Sequence, residues 1–404
     1  MKKKRILALF LAAVSCLSLA VSASAAGTTT RKATDFKDYD RTAWYAIAVS
    51  AAVDNGLLYG KSTTVIDPNG DMTRAEMAAI INRSFGCYKT ADISQYKDVA
   101  KSKWYYKDVA LAVQMGIYNG RSSSAMAPDA PISRQEAMTV VARALELDYD
   151  SYSKTDLSAF SDRSEISNWA LPYVRAMVGA DYIHGGTKGL EPLDNITRAE
   201  FAQIFHNIIG SYITVKGTYD KDIQGSVLIR TNEVMLKDMT VDGDLIIGCG
   251  AADGKITLDN VNIKGRLLVW GGGTKAVYCN NGTQMPEVVV ARVDGATKVI
   301  FDRDSTLAVI DTIKTRITER AKQNKETEII FYDVSGLRKA QKQLNAIVAG
   351  SQLSVVAPAH LYAIVGATDV KAEFTNNSKR DMNMQTTPMR TAMESATIAA
   401  QRFR

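Results

Sequence analysis

Cysteine is scarce in this chain, with four in 404 residues. Cys16 lies in an N-terminal apolar segment, and Cys87, Cys249 and Cys279 stand at unrelated spacings, so no disulfide framework holds the fold. Buried free thiols are the expectation, with a Cys249 to Cys279 bridge as an unsupported alternative. Histidine is scarcer: His184, His206 and His360 are the three, and none stands in a metal-ligand or nucleophile motif. No cofactor or metal is expected. Excess charge is lacking too. The net charge is +6, and Lys2, Lys3, Lys4 and Arg5 supply four of it, so removing them leaves +2. A near-neutral remainder makes no case for nucleic acid. Beyond the N-terminus no apolar run is long enough to span a bilayer.

The four cations precede the apolar stretch Ile6 to Val14, and the small residues Ala23, Ser24 and Ala25 follow. This is the pattern of a secretory signal peptide over residues 1–26, cleaved after Ala25 or Ala26. A lipid anchor at Cys16 is disfavoured, because Ala13 stands where a larger aliphatic is usual.

One constellation recurs three times. Trp44, Trp104 and Trp169 are separated by 60 and 65, and Pro68, Pro128 and Pro192 by 60 and 64. Asp38, Asp98 and Asp162 keep the register, as do Arg74, Arg134 and Arg198. Each unit reads as helix, loop, helix. Ala46, Val49, Ala52 and Val53 have helical spacing and stop at Asn55-Gly56. A loop with Asp67-Pro68-Asn69-Gly70 leads to Thr73-Arg74-Ala75-Glu76, a capping box in which hydroxyl and carboxylate satisfy first-turn amides. Ser133 to Glu136 and Thr197 to Glu200 repeat it. The cap explains Thr and Glu, and Trp is compatible with core. It does not explain an arginine at the positive end of a helix dipole, three times over. The expectation is an anionic ligand, a carboxylate or phosphate, gripped by guanidinium and free first-turn amides.

These residues resemble the S-layer homology (SLH) domain family, over about Thr34 to Gly210. The resemblance rests on Phe36 with Asp38, Tyr96 with Asp98 and Phe160 with Asp162, on the steps Gly56-Leu57 and Gly116-Ile117, and on the three capping boxes. Repeat two departs with Ser133-Arg134-Gln135-Glu136, and repeat three has Gly179-Ala180-Asp181-Tyr182 where the Gly-Leu step belongs. The resemblance implies an all-α, pseudo-threefold domain with repeats at 34–85, 94–145 and 158–210. Its grooves would bind a secondary cell-wall polysaccharide attached to peptidoglycan, through a pyruvylated sugar. It assigns Arg74, Arg134 and Arg198 to the glycan carboxylate. Trp44, Trp104 and Trp169 would line grooves or core, and Asp38, Asp98 and Asp162 would bond sugar hydroxyls or backbone. Three weak sites facing a repetitive polymer gain roughly 10² to 10⁴ in avidity.

After Gly210 short β-rich runs dominate, and a mainly β domain is expected over 212–372. Leu236 to Leu245 aligns with Leu258 to Leu267 at a spacing of 22, with alternating apolar positions. That period fits one coil of a parallel β-helix, continued by Val288 to Val293 and Lys298 to Phe301. An antiparallel β-sandwich explains the alternation without the register. Gly336 to Val348 reads as helix, Leu353 to Val356 and Leu361 to Val365 as strands, and 373–404 as a poorly ordered tail.

The expected function is non-enzymatic anchoring of a secreted protein at the cell wall. The alternative is a wall-anchored lyase or glycosidase on a β-helix, whose only dense carboxylate group is Asp238, Asp242, Asp244 and Asp259; solvated turn residues explain these more simply. A self-assembling S-layer subunit, partnering itself or other surface proteins, is compatible with the same sequence. A membrane barrel is disfavoured by short strands.

Overall fold

The computed structural model describes residues 31–273 and 275–332 and the backbone of 353–356. The expected signal peptide, the helix at 336–348, the strand at 361–365, the tail, Cys16 and His360 lie outside the described residues.

Six helices form the first part: α1 (Ala46–Asp54), α2 (Arg74–Phe85), α3 (Tyr106–Gln114), α4 (Arg134–Ala144), α5 (Leu171–Gly179) and α6 (Arg198–Ile208). The second helix of each repeat packs on the first helix of the next, as α2 on α3, α4 on α5, and α6 back on α1. A ring of backbone hydrogen bonds closes the arrangement. The Met72 amide donates to the Ile196 carbonyl (2.9 Å), Ile196 to Ile132 (3.0 Å) and Ile132 to Met72 (3.0 Å). All three side chains are fully buried. Residues at spacings of 60 and 64 therefore meet at one pseudo-threefold hub.

The capping boxes form as the sequence predicts. Thr73, Ser133 and Thr197 accept from the amides of Glu76, Glu136 and Glu200, and each carboxylate returns to its cap amide. At the helix C-termini a left-handed residue ends the turn: Gly56 (φ 66°), Gly116 (φ 69°) and, in repeat three, Asp181 (φ 63°). Asp181 thus fills the position where the other repeats place glycine. The amides of Leu57 and Tyr182 reach back five residues, to Ala52 and Met177 (2.8 and 3.0 Å), so the same terminal motif is built with either residue.

Helical structure gives way to strands without a break, because α6 runs directly into β1 (Ile209–Ile213). From β1 to β12 the strands alternate between two sheets. One contains β1, β3 (Ser226–Ile229), β5 (Leu245–Ile247), β7 (Arg266–Val269), β9 (Glu287–Val290) and β11 (Lys314–Ile317), in that order. The other contains β2 (Gly217–Tyr219), β4 (Val234–Val241), β6 (Ile256–Ile263), β8 (Val277–Asn280), β10 (Lys298–Phe301), β12 (Glu328–Tyr332) and β13 (Leu353–Val356). Pairing between the named strands is parallel throughout, whereas a sandwich of hairpins requires antiparallel neighbours. Leu236 pairs with Leu258, the register read from the sequence. The helix α7 (Arg303–Val309) interrupts the succession between β10 and β11.

Within β4 and β6 and directly after β8, Asp238, Asn260 and Asn281 all take left-handed φ (50°, 53° and 54°), a conformation that short polar side chains tolerate best. Asn260 donates to Asp238 (2.8 Å) and Asn281 to Asp259 (2.5 Å), so amides and carboxylates ladder along the stack.

Strands β3, β5, β7 and β9 of the first sheet are buried on both faces, which explains their apolar runs. Val227, Leu245, Leu267 and Val288 face the core between the sheets. Leu228, Ile246, Leu268 and Val289 join the helical core instead. The apolar core therefore crosses the boundary expected near residue 210.

Arginines from the strands complete this junction. Arg230 donates to the carbonyls of Arg83 (2.8 Å) and Asn55 (3.1 Å), at the ends of α2 and α1. Arg266 and Arg316 donate to the Glu146 carbonyl after α4 (3.2 and 2.5 Å), and Trp270 Nε1 to that of Ala144 (3.1 Å). Arg320 donates to the Gly116 carbonyl after α3 and pairs with the Glu146 carboxylate (2.5 Å). Cations and donors thus meet the negative ends of the helices, whose last carbonyls have no intrahelical partner. The helix N-termini, with the capping boxes and the tryptophans just before α1, α3 and α5, lie at the opposite ends.

Candidate functional site

The three sets of residues singled out in the sequence have different fates. Arg74 and Arg198 are almost completely buried, at 4% and 2% exposure. Arg74 Nε donates to the Met126 carbonyl (2.9 Å), one terminal nitrogen to the Asn119 carbonyl (2.8 Å), and the other to Glu136 (3.1 Å). Arg198 repeats this with Ile66 (3.0 Å), Tyr59 (2.5 Å) and Glu76 (3.0 Å). Arg134 donates to the Leu190 carbonyl (2.8 Å) and Glu200 (2.7 Å). Each arginine therefore leaves its own repeat and pairs with the capping-box glutamate of the next.

The expectation of free first-turn amides is corrected by this geometry. The amides of Arg74 and Ala75 donate to Ala130 and Pro128 (3.0 and 2.9 Å), those of Arg134 and Gln135 to Asp194 and Pro192 (2.9 and 3.0 Å), and those of Arg198 and Ala199 to Gly70 and Pro68 (3.0 and 2.8 Å). The physical reason for a cation at a helix N-terminus is the neighbouring glutamate, which offsets the dipole across the repeat boundary. Burial alone would raise Glu76, but Lys61, the Thr73 amide and Arg198 together hold its carboxyl below the usual range. Glu136 is likewise held down, against burial, by the Ser133 amide, Arg74 and Arg121.

The aspartates are clasps. Asp38 accepts from the amides of Ile66 and Asp67 (2.9 and 2.7 Å), Asp98 from Met126 and Ala127 (2.9 and 2.6 Å), and Asp162 from Leu190 and Glu191 (3.1 and 2.5 Å). The second residue of each pair has left-handed φ, at 55°, 52° and 49°. Two charge-assisted bonds thus hold a strained turn. That turn presents the carbonyls that receive the arginine and amides of the preceding repeat.

The tryptophans are outside the core: Trp44, Trp104 and Trp169 are 63%, 58% and 51% exposed. Trp44 and Trp104 stand edge-on against Tyr45 and Tyr105 (centroids 5.5 and 5.4 Å). The Tyr105 hydroxyl donates to Asp129 (2.9 Å). Burial and that bond push its pKa up to about 12, so it stays a neutral donor. One ring of each pair is thereby fixed while its neighbour faces water.

Two cations were not singled out in the sequence. Lys61 Nζ lies 2.6 Å from Glu76, and Arg121 lies 3.3 Å from Glu136, both with side chains more than a third exposed. Their spacing of 60 was a readable signal. Repeat three has Gly186 at the corresponding place, so its glutamate lacks this partner.

Elsewhere the carboxylates are engaged. Asp244 accepts from the Arg266 amide and guanidinium (both 2.7 Å), Asp242 pairs with Lys264 (2.6 Å), and Asp238 and Asp259 accept from Asn260 and Asn281 in the ladder. His184 is exposed, 3.4 Å from Asp181, and burial lowers the pKa of His206. Among the described residues no cluster of three or more His, Cys, Asp or Glu is placed to hold a metal, and no helix is long and apolar enough to cross a membrane.

Comparison with known sequences identifies the threefold unit. The S-layer homology domain family matches residues 35–78, 95–138 and 159–202. The chain carries three SLH domains. It is 28% identical over 319 residues to the "Surface-layer 125 kDa protein" of Lysinibacillus sphaericus, covering 76% of this chain and 26% of that protein. It is 27% identical over 149 residues to "S-layer protein sap" of Bacillus anthracis, covering 37% of the chain and 17% of that protein. An "Endoglucanase" of Bacillus sp. (strain KSM-635) is 26% identical over 210 residues, covering 51% of the chain and 22% of that protein. The chain thus spans about a quarter or less of the length of these relatives. SLH domains with such relatives indicate a cell-surface, cell-wall-associated protein, and SLH domains bind cell-wall polysaccharide.

Proposed function

We propose that the SLH region, residues 34–210, anchors this protein by binding an acidic, pyruvylated secondary cell-wall polysaccharide at the ends of the helices remote from the strands. The observation that carries this reading is the threefold exposure of Trp44, Trp104 and Trp169. A lone exposed aromatic needs no explanation. Three at equivalent positions, two of them braced by a tyrosine, suit stacking on the C–H faces of sugars. Lys61 and Arg121 supply positive charge at the solvent edge of two repeats, within reach of a pyruvate carboxylate. Arg74, Arg134 and Arg198 then act beneath the ligand, fixing the loops that shape the grooves, and Asp38, Asp98 and Asp162 act in the same frame. Repeat three, without the exposed cation, binds the acid most weakly.

The strand-rich region, 212–372, is in this reading a parallel β-helix, supported by strands alternating between two parallel sheets and by the register of 22 residues. We assign it a non-enzymatic role, because each carboxylate of its dense acidic group is engaged with an amide or a cation.

Titration of the full chain with released wall polysaccharide, read by tryptophan fluorescence, tests the site. Three of the four tryptophans are exposed and the fourth, Trp270, is buried. The expected response is lost when Trp44, Trp104 and Trp169 are all replaced by phenylalanine, while heat released on binding falls in parallel. Undiminished heat from a folded variant with alanine at all three positions would contradict the assignment.

A further inference from the structure

Sulfur atoms gather where helix and strand regions meet. Cys87 follows the left-handed Gly86 that ends α2, and Cys249 lies in the turn after β5. Cys87 Sγ stands 3.4 Å from Cys249 Sγ and 3.0 Å from Met115 Sδ. Cys249 is buried, and Cys87 is partly exposed.

The approach of the two backbones is fixed by glycine. A Cβ on Gly86 would lie 2.9 Å from the Gly250 Cα, one on Gly248 2.6 Å from the Phe85 carbonyl, and one on Gly250 2.2 Å from the Arg230 carbonyl. No other residue fits at these places without moving backbone, so the two cysteine-bearing segments are held together independently of their thiols. A metal is a poorer occupant. Thiolates about 2.3 Å from a tetrahedral ion stand roughly 3.8 Å apart, wider than either sulfur contact here. Sulfur atoms already in contact need only close by about 1.4 Å to reach a disulfide length.

We propose that Cys87 and Cys249 are a disulfide site that covalently staples the first SLH repeat to the strand region once the protein reaches an oxidising surface. The oxidant is a disulfide of the thiol-exchange class, protein or small molecule. The Cys87 thiolate attacks one sulfur of that disulfide, forming a mixed disulfide and releasing one thiol. The Cys249 thiolate then displaces the second, so two protein thiols and one disulfide become one protein disulfide and two thiols. The two protons lost by the cysteines end on the released thiols. The hydrogen bond to Cys249 and burial hold the Cys87 thiol well above its ordinary pKa, so the reaction quickens as pH rises. Cys279 belongs to the separate core between the sheets and takes no part, which replaces the Cys249 to Cys279 bridge considered from sequence.

The test is peptide mapping of the folded full chain after exposure to glutathione disulfide and alkylation of remaining thiols. Trypsin releases Cys87 in residues 84–89, Cys249 in 238–255 and Cys279 in 276–292. The expected result is 84–89 joined to 238–255, separated by reduction, with 276–292 alkylated. In Cys249→Ser the link is lost and Cys87 remains a glutathione mixed disulfide. The oxidised chain should also need more urea to unfold than the reduced chain, since the closed loop restricts the unfolded state. Recovery of 84–89 and 238–255 unlinked, whether alkylated or carrying glutathione, overturns the proposal.

Discussion

An arginine at the first position of a helix sits against the helix dipole, and its recurrence at Arg74, Arg134 and Arg198 invited a ligand as explanation. Within the protein each guanidinium pairs with a glutamate and at least one carbonyl of the following repeat. Removing Arg198 leaves Glu76 with Lys61 and the Thr73 amide but strips the buried Ile66 carbonyl and the Tyr59 carbonyl of their donor, so Arg198→Ala should destabilise by about 3 kcal/mol in urea unfolding. Trp104→Ala should change stability by no more than about 0.5 kcal/mol, as an exposed side chain does, while weakening glycan binding. The carboxyls of Glu76 and Glu136 are held below the ordinary glutamate value of 4.5. Their contribution is therefore complete above that value and is lost as pH falls through the lower folded values. Acid titration of stability should show this loss below pH 4.5, blunted in Glu76→Gln with Glu136→Gln. The spacing of Trp, Asp, Pro and Arg was legible in the sequence, and so was backbone bonding as one of two roles for Asp38, Asp98 and Asp162, but the pairing of each arginine with the next repeat's glutamate was not. A repeat reveals which residues matter together; it does not show whether the partner is a ligand or the next repeat.

Among the elements, helix starts were legible because a capping box is local, and helix ends because glycine marks the left-handed turn. The exception is informative. Asp181 stands where glycine does in the other repeats, at φ 63°. Asp181→Gly removes a strained conformation worth about 1 kcal/mol, and the expected outcome is a small rise in the urea midpoint. Glu146 is a second case, left-handed at φ 47° yet buried against Arg316 and Arg320. Here the carboxylate is needed at the junction, so Glu146→Gly should relieve the backbone and still destabilise, measured in the same way. The strands were readable from alternation in β4 and β6, and their pairing from the spacing of 22. The double burial of β3, β5, β7 and β9 was not readable, since a continuous apolar run fits a core strand of any sheet. Only the helix ends packed on the outer face explain it.

On the scale of the whole molecule, the sequence suggested an anchor followed by a separate module, and the structure joins them. Arg230, Arg266, Arg316 and Arg320 cap helices in the SLH region from more than a hundred residues away, a relation with no trace in any local pattern. A shared core and shared caps predict one cooperative heat-unfolding transition for the SLH region and the adjoining strands; two resolved transitions would oppose it. This union places the tryptophans at the ends of the helices remote from the strands, leaving them free to meet the wall. The measurement that tests the account most directly is co-sedimentation of the full chain with purified walls, before and after mild acid removal of pyruvate, beside a variant with Trp44, Trp104 and Trp169 all replaced by alanine. The account predicts that the native chain pellets with untreated walls, and that both the acid treatment and the triple substitution release it to the supernatant. A folded triple variant that still pellets in full, or native binding indifferent to pyruvate, would contradict it.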